Sequence, residues 1–292
     1  MTLLVMGAKG QLGREICRQG RTHSLDVLGL DLPELDITDP AAVGKVLDDT
    51  KASLVVNAAA YTAVDRAESE PDSAFAVNRD GPANLASLCS EAGIPLVHIS
   101  TDYVFSGEKG GAYLESDPIS PLGVYGKSKA AGEEEVRKHL REHIILRTSW
   151  LYGVHGANFV KTMLRLAKNE KTLRVVADQF GCPTFAADLA EAVLMIATRY
   201  RDGRETAWGT YHYCGEGNTS WHGFAETIFS LARSYDTLRV EEVTAIKTEE
   251  YPTPARRPAN SALDCSLIRD RFGFSPRPWQ DSLSDMIARM FS

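Results

Sequence analysis

Short apolar runs recur along the first half of the chain, each followed by a glycine-rich or polar turn and then by a longer stretch with helical spacing. The first is Thr2–Met6, and residues 25–30, 54–56, 95–99 and 144–147 repeat the theme. Runs that are apolar at consecutive positions mark strands buried on both faces, as in a parallel sheet. Residues 15–18, 39–50, 71–91 and 125–136 carry the helical pattern between them. Regular alternation of strand and helix predicts an α/β fold, a doubly wound parallel sheet with right-handed crossovers.

Beyond residue 150 the alternation continues with shorter elements. Residues 158–169, 188–200 and 224–231 read as helices, 173–176 and 240–246 as strands, and Trp279–Phe291 as an amphipathic helix. A loop over 203–209 precedes Tyr211–Cys214, and the prolines of 251–258 break regular structure. His222, at a helix start, reads as a capping or packing residue. This part predicts a small α/β lid over the sheet's substrate edge.

Composition narrows the class. The 292 residues are 43% hydrophobic and 24% charged, as in an ordinary folded domain, and carry a formal charge of −7 from 32 basic and 39 acidic side chains. That balance argues against a nucleic-acid or anionic-membrane partner. Residues 3–6 are too short for a signal core, and no segment is long enough for a membrane span. Cys17, Cys89, Cys182, Cys214 and Cys265 are odd in number, widely spread and without a close metal-ligand pair, so reduced thiols and a cytoplasmic location are expected.

The first candidate chemistry lies directly after the first strand, in Gly7-Ala8-Lys9-Gly10-Gln11-Leu12-Gly13. Strand, glycine turn and helix together let backbone N–H groups close on a pyrophosphate at a helix N-terminus. The spacing is one residue longer in its first gap than the G-x-G-x-x-G fingerprint, and an ordinary loop is the alternative. Asp31, ending the second strand, is placed to accept hydrogen bonds from an adenosine ribose and so to favour NADH. Asp36 competes for that contact, a solvated turn aspartate is the plainer reading, and Lys9 and Arg14 keep a 2′-phosphate in play. Small residues in Asn57-Ala58-Ala59-Ala60-Tyr61-Thr62 allow a nucleotide to approach the backbone, or simply a tight turn.

The second candidate is Ser100-Thr101-Asp102, after the fourth strand, with Tyr125-Gly126-Lys127-Ser128-Lys129 opening a helix. Tyr125 and Lys129 are four apart and share a helix face. A phenol can protonate a developing alkoxide, an ammonium can lower the phenol's pKa from about 10 toward the working range, and a hydroxyl can orient the carbonyl oxygen. Singly, these residues are a local hydroxyl, a surface aromatic and a solvated lysine. Together, after a nucleotide-binding pattern, they predict reduction of a ketone. A serine hydrolase lacks its G-x-S-x-G elbow, with His98 inside an apolar run. His139 and His143 read as a solvated helix face rather than a metal site.

These two motifs resemble those of the extended short-chain dehydrogenase/reductase superfamily. Further segments are narrower: Asn57 through Asp65, Arg147-Thr148-Ser149-Trp150-Leu151-Tyr152, Asn158 through Leu164, Asp178 through Thr184 and Tyr251-Pro252-Thr253-Pro254-Ala255. With them the chain resembles the dTDP-4-dehydrorhamnose reductase family over essentially its whole length. The resemblance implies a Rossmann-like domain, mainly residues 1–150, and a smaller interleaved substrate-binding portion, mainly 151–292, with 184–200 packing back on the first. It implies NADH or NADPH as cofactor and a dTDP-linked 4-keto-6-deoxysugar as substrate, dTDP-4-dehydro-6-deoxy-L-mannose being reduced to dTDP-L-rhamnose. Tyr125 is then the proton donor, with Lys129 as its partner on the cofactor ribose and Thr101 assisting. Gly7, Gly10, Gln11, Leu12 and Gly13 meet the pyrophosphate, Asp31, Asp36 and Ile37 the adenosine, and Ala60, Tyr61 and Thr62 the rest of the cofactor. Thr101, Asp102 and Trp150 meet the sugar, and Arg256 and Arg257 face either its diphosphate or solvent. Some relatives pair through magnesium. Glu15 matches one of the acidic positions, but Ala187 stands at the other, so magnesium is not expected to be essential and a monomer or weak homodimer is. Two alternatives stay open: reduction of another nucleotide-linked 4-keto sugar, and a noncatalytic regulatory homologue.

Overall fold

The computed structural model describes residues 1–291. Its centre is a sheet of 6 strands in the order Gly209–His212, His143–Thr148, Leu96–Thr101, Leu54–Asn57, Thr2–Met6, Asp26–Leu30. Every neighbouring pair is parallel. Successive residues feed opposite faces. Leu3, Val5, Leu54, Val56, Ile144 and Leu146 enter one core, while Leu4, Met6, Val55, Leu96 and Ile145 enter the other. Both faces are covered, which is why these strands show no polar alternation.

Helices Gln11–Gln19 and Ala186–Arg201 close the first core through Leu12, Ile16, Leu189 and Val193. Helices Pro40–Thr50, Gly81–Ala92 and Val124–His139 close the second through Val43, Leu47, Leu85 and Val136. Asp39 starts the first of these by accepting from the N–H groups of Ala41 and Ala42, with Pro40 at the first helical position. The stretch 71–91 is less regular than its spacing predicts: Pro71–Phe75 passes through a wider π turn, Ala76–Asp80, before Gly81–Ala92. Thr2–Met6 lies between the second and third strands, so the strand order reverses there and a crevice opens at the strand ends.

A further core brings together Val160, Leu164, Phe224, Ile228, Leu283 and Met286. It joins helices Phe159–Ala167, Trp221–Ala232 and Trp279–Phe291 to a parallel pair, Thr172–Val176 with Glu242–Ile246. His139 and His143 do not share a helix. The helix ends at His139, and His143 opens a strand as a buried residue whose Nδ1 lies 2.5 Å from the Leu140 carbonyl oxygen. His222 lies with Nε2 2.9 Å from the Val243 carbonyl oxygen, a packing role. Among the described residues no helix is long and apolar enough to cross a membrane.

Candidate active site

At the switch point Gly7 adopts φ +80°, where a Cβ would lie 2.5 Å from Ala59 N. Only glycine allows the turn to pass this close to the third strand's exit. Gly10 precedes the helix Gln11–Gln19, whose first turn has no side-chain cap and no acidic residue. Its N–H groups and dipole therefore remain available to an anion. Gly13 seats the helix against the turn, since a Cβ there would meet Gly7 O at 2.2 Å.

Two adjoining hollows run along the strand ends. The smaller, about 210 Å³, is lined by Gly7, Gly10, Asp31, Asp36, Ile37 and Ala60 among others. Asp31 accepts from the Lys9 N–H at 2.8 Å and the Leu32 N–H at 2.7 Å, which fixes its carboxylate at the strand end. Asp36 accepts from Thr38 through both backbone and hydroxyl. The larger cleft, about 630 Å³, brings Gly10, Gln11, Leu12, Ala60 and Thr62 together with Thr101, Asp102, Tyr125, Lys129 and Trp150. Gly13 and Tyr61 line neither hollow. The Tyr61 hydroxyl donates to Glu70 at 2.6 Å, and Asn78, in the π turn, clamps the Tyr61 backbone through both N–H and C=O.

Tyr125 and Lys129 project from helix Val124–His139, opposite the end of strand Leu96–Thr101. The Tyr125 ring meets Tyr103 edge-on, with centroids 5.4 Å apart. Lys129 is 1% exposed, donates to the Ile99 carbonyl at 2.6 Å and lies 3.5 Å from His98 Nε2. The His98 ring is itself held by the Asn57 amide at 3.2 Å. Burial pushes the Lys129 ammonium down to about 8, against the pull of Glu133. The phenol does not follow the expected direction. Burial pushes Tyr125 up to about 12, and the group that opposes this is the Thr101 hydroxyl rather than Lys129. Desolvation, with the nearby Asp102 charge, outweighs the Thr101 hydrogen bond.

The Thr101 hydroxyl donates to Asp102 Oδ1 at 2.9 Å and accepts the Tyr103 N–H. Asp102 is 2% exposed, and its other oxygen has no hydrogen-bond partner among the described residues. Burial raises its carboxyl to about 6, with the Ser261 and Thr101 hydroxyls pulling it back. An unpartnered buried oxygen on the cleft wall is suited to a ligand hydroxyl. Trp150 holds φ +47°, a rare conformation for a bulky residue, and stacks on Trp221 at 3.5 Å between centroids.

Several contributors were not visible in the sequence pattern. Glu133, one turn beyond Lys129, accepts from Arg147 Nε and Nη2 at 2.8 and 2.7 Å and from the Ser100 hydroxyl at 2.6 Å. This ties the helix of Tyr125 to the strand of Thr101. Thr148, opposite Thr101 in the ladder, also lines the large cleft. Gln11 accepts from Asn158, the cap of helix Phe159–Ala167, and so joins the glycine turn to the second half. Of the two candidate arginines, Arg256 is exposed and Arg257 pairs with Asp65 at 2.9 Å. Glu15 is buried and spends Oε2 on Arg18 and Gln19. Among the described residues no group of three or more His, Cys, Asp or Glu side chains has the geometry to hold a metal.

A parallel sheet with this switch-point cradle, and a cleft in which a phenol and an amine face a hydroxyl, belongs to the NAD(P)-dependent oxidoreductases of the short-chain dehydrogenase/reductase type. The family described as "RmlD substrate binding domain" matches residues 1–292. A dTDP-4-dehydrorhamnose reductase of Aggregatibacter actinomycetemcomitans is 47% identical over 98% of both chains. Among solved structures, the Clostridium acetobutylicum dTDP-4-dehydrorhamnose reductase is 41% identical, covers 99% of both chains and superposes with a TM-score of 0.93. The Bacillus anthracis enzyme, solved in complex with NADP, is 36% identical over 99% of both chains, with a TM-score of 0.91. The chain belongs to the dTDP-4-dehydrorhamnose reductase family.

Proposed function

We propose that this protein reduces the C4 ketone of dTDP-4-dehydro-6-deoxy-L-mannose to dTDP-L-rhamnose with NADH or NADPH. One observation carries the reading: Thr101, Tyr125 and Lys129 line a single cleft that continues to the uncapped helix start at Gly10-Gln11-Leu12. The open first turn and the Gly7 approach fit a dinucleotide pyrophosphate. Asp31, Asp36 and Ile37 hold its adenosine end, and Ala60, Tyr61 and Thr62 flank the path between. Bound NAD(P)H supplies the hydride to the sugar's carbonyl carbon.

Tyr125 donates its proton to the ketone oxygen as negative charge develops there. Its raised pKa keeps the phenol protonated before reaction. Thr101 orients the same oxygen. Lys129 holds the nicotinamide ribose and stabilises the phenolate left behind, and Asp102 takes a sugar hydroxyl on its unpartnered oxygen. Trp150, braced by Trp221, covers an apolar sugar face. In this reading residues 1–150 form most of the cofactor side and 151–292 most of the sugar side, with 184–200 returning to the sheet. The enzyme works in the cytoplasm, as a monomer or weak homodimer, without an essential metal.

The test is reductase assay with the dTDP-keto sugar, product NMR, and Tyr125→Phe, which keeps the ring against Tyr103. Formation of dTDP-L-rhamnose is expected, with kcat lowered about 10²- to 10⁴-fold in the variant and cofactor binding retained. No product with either cofactor, or a variant as active as the parent, refutes the assignment. Product NMR across related nucleotide-linked 4-keto sugars separates it from the neighbouring specificity.

A further inference from the structure

Three cysteines far apart in sequence converge at a place the reduction does not use. Cys214 Sγ and Cys265 Sγ lie 3.6 Å apart, and the Cys182 thiol is near enough to interact with Cys214. All three line a pocket of about 240 Å³ with Glu216, Asp264 and Arg269. The thiols are unpaired covalently, Cys182 and Cys214 being buried and Cys265 only half-buried. Cys265 precedes helix Ser266–Phe272 but caps no backbone group with its side chain, so its thiol can turn without releasing one.

We propose that Cys214 and Cys265 form a reversible redox pair whose intramolecular disulfide weakens binding of the sugar substrate. Closing 3.6 Å to a bond of about 2 Å needs roughly 1.5 Å of sulfur movement. The cluster is tied to the cleft by two short links. The Cys182 carbonyl accepts the Ser149 hydroxyl at 2.7 Å, and Tyr213, next to Cys214, donates its N–H to the Arg147 carbonyl at 2.9 Å. Ser149 and Trp150 line the substrate cleft, and Asp102 lies close enough for its charge to act on the Cys182 thiol. Displacement at the sulfurs therefore reaches the sugar side before it reaches the glycine turn.

The oxidant is a small-molecule disulfide such as glutathione disulfide. The accessible Cys265 sulfur, as thiolate, attacks one sulfur of the oxidant, forming a mixed disulfide and releasing one glutathione thiolate. The Cys214 sulfur then attacks the Cys265 sulfur of that mixed disulfide, forming the protein bond and releasing the second glutathione. Two protein thiols are oxidised, one glutathione disulfide is reduced, and the two thiol protons end on the two glutathiones. Hydrogen bonds with Cys182 and Cys265, followed by burial, hold the Cys214 thiol well above its usual pKa, which disfavours the thiolate that the closing step uses.

The experiment treats the reduced full-length protein with glutathione disulfide, maps disulfide-linked peptides by mass spectrometry, and measures kinetics before and after dithiothreitol. The expected result is a Cys214–Cys265 link, reversed by dithiothreitol, with a several-fold higher KM for the sugar nucleotide and an unchanged KM for the cofactor. Cys265→Ser should keep the activity of the reduced enzyme and lose both the link and the sensitivity, whereas Cys182→Ser should keep the link. An adduct that stops at Cys265, a link through Cys182, or a fully linked protein with unchanged KM overturns the proposal. The kinetic part rests on the reductase reading, but peptide mapping does not. A protein that never turns over the sugar defeats that reading and leaves the sulfur assignment to be decided by mass alone.

Discussion

Replacing Arg147 by Met tests how far the buried ion pair braces helix Val124–His139 against strand His143–Thr148. Arg147 is 1% exposed and Glu133 0%, joined by two hydrogen bonds of 2.8 and 2.7 Å. Arg147 also lies over the Phe105 ring at 5.1 Å. Its removal leaves Glu133 with the Ser100 hydroxyl and Arg137, the latter 37% exposed and a weaker compensation. Stranding a buried charge costs about 3–5 kcal/mol. At ~2.1 cal/mol/K per residue, 292 residues give an unfolding entropy near 0.6 kcal/mol/K, so the variant's Tm should fall by roughly 5–8 °C. Burial pushes the Glu133 carboxyl up, but Arg147, Ser100 and Arg137 together hold it below its usual value. Its ionised form therefore supports the parent protein above the unfolded pKa of about 4.3, and that support fades as pH falls through the lower folded value. In Arg147→Met the burial effect is left less opposed, so acid relieves the stranded carboxylate and the difference between the proteins should shrink. Urea unfolding across pH reads this directly, and Glu133→Gln with Arg147→Met should be milder than the two single losses added together. A loss below about 1 kcal/mol, insensitive to pH and additive in the double variant, would refute the reasoning.

Lys129 shifts in the same direction as Glu133 but for another reason, since burial disfavours its charged form. Its folded pKa is about 8, against about 10.4 unfolded. Between those values the unfolded chain binds the extra proton and stability should rise with pH by an amount of the order of 3 kcal/mol. Lys129→Met should lack that rise in paired urea titrations, and parallel curves would contradict it. Gly7→Ala forces a Cβ against Ala59 N at φ +80° and should cost about 2 kcal/mol or more, with weaker cofactor binding by fluorescence titration; normal affinity would remove Gly7 from the cradle. Asp31 should permit NADH, and Asp31→Ala should raise the NADH KM roughly tenfold with less effect on NADPH. A strong NADPH preference in the parent enzyme counts against that contact.

Four of the first five strands, Thr2–Met6, Leu54–Asn57, Leu96–Thr101 and His143–Thr148, were legible because both faces are buried and each carries a continuous apolar run. The edge strand Asp26–Leu30 has no fully buried residue and was legible from its apolar run alone. Gly7 was legible because a positive φ leaves few alternatives, and Tyr125 with Lys129 because four residues make one helical turn. The sixth strand, Gly209–His212, was not: its short, mixed sequence joins the sheet only by pairing with His143–Thr148. Nothing local in the glutamate run at 133–135 singles out Glu133 as the partner of Arg147. The same holds for Trp221 behind Trp150, and for the three cysteines read as scattered.

Local periodicity and backbone demands, both properties of a few consecutive residues, were enough to determine the alternating α/β architecture, the glycine turn after the first strand and the shared helix face of Tyr125 and Lys129. The tertiary structure decided which distant side chains meet and how little water surrounds them. That is why Tyr125 is pushed up to about 12, against the sequence expectation, and why one Asp102 oxygen is buried beside the cleft without a hydrogen-bond partner among the described residues. A pKa or a buried ion pair depends on the dielectric and charges assembled from the whole chain, which no short window of residues contains.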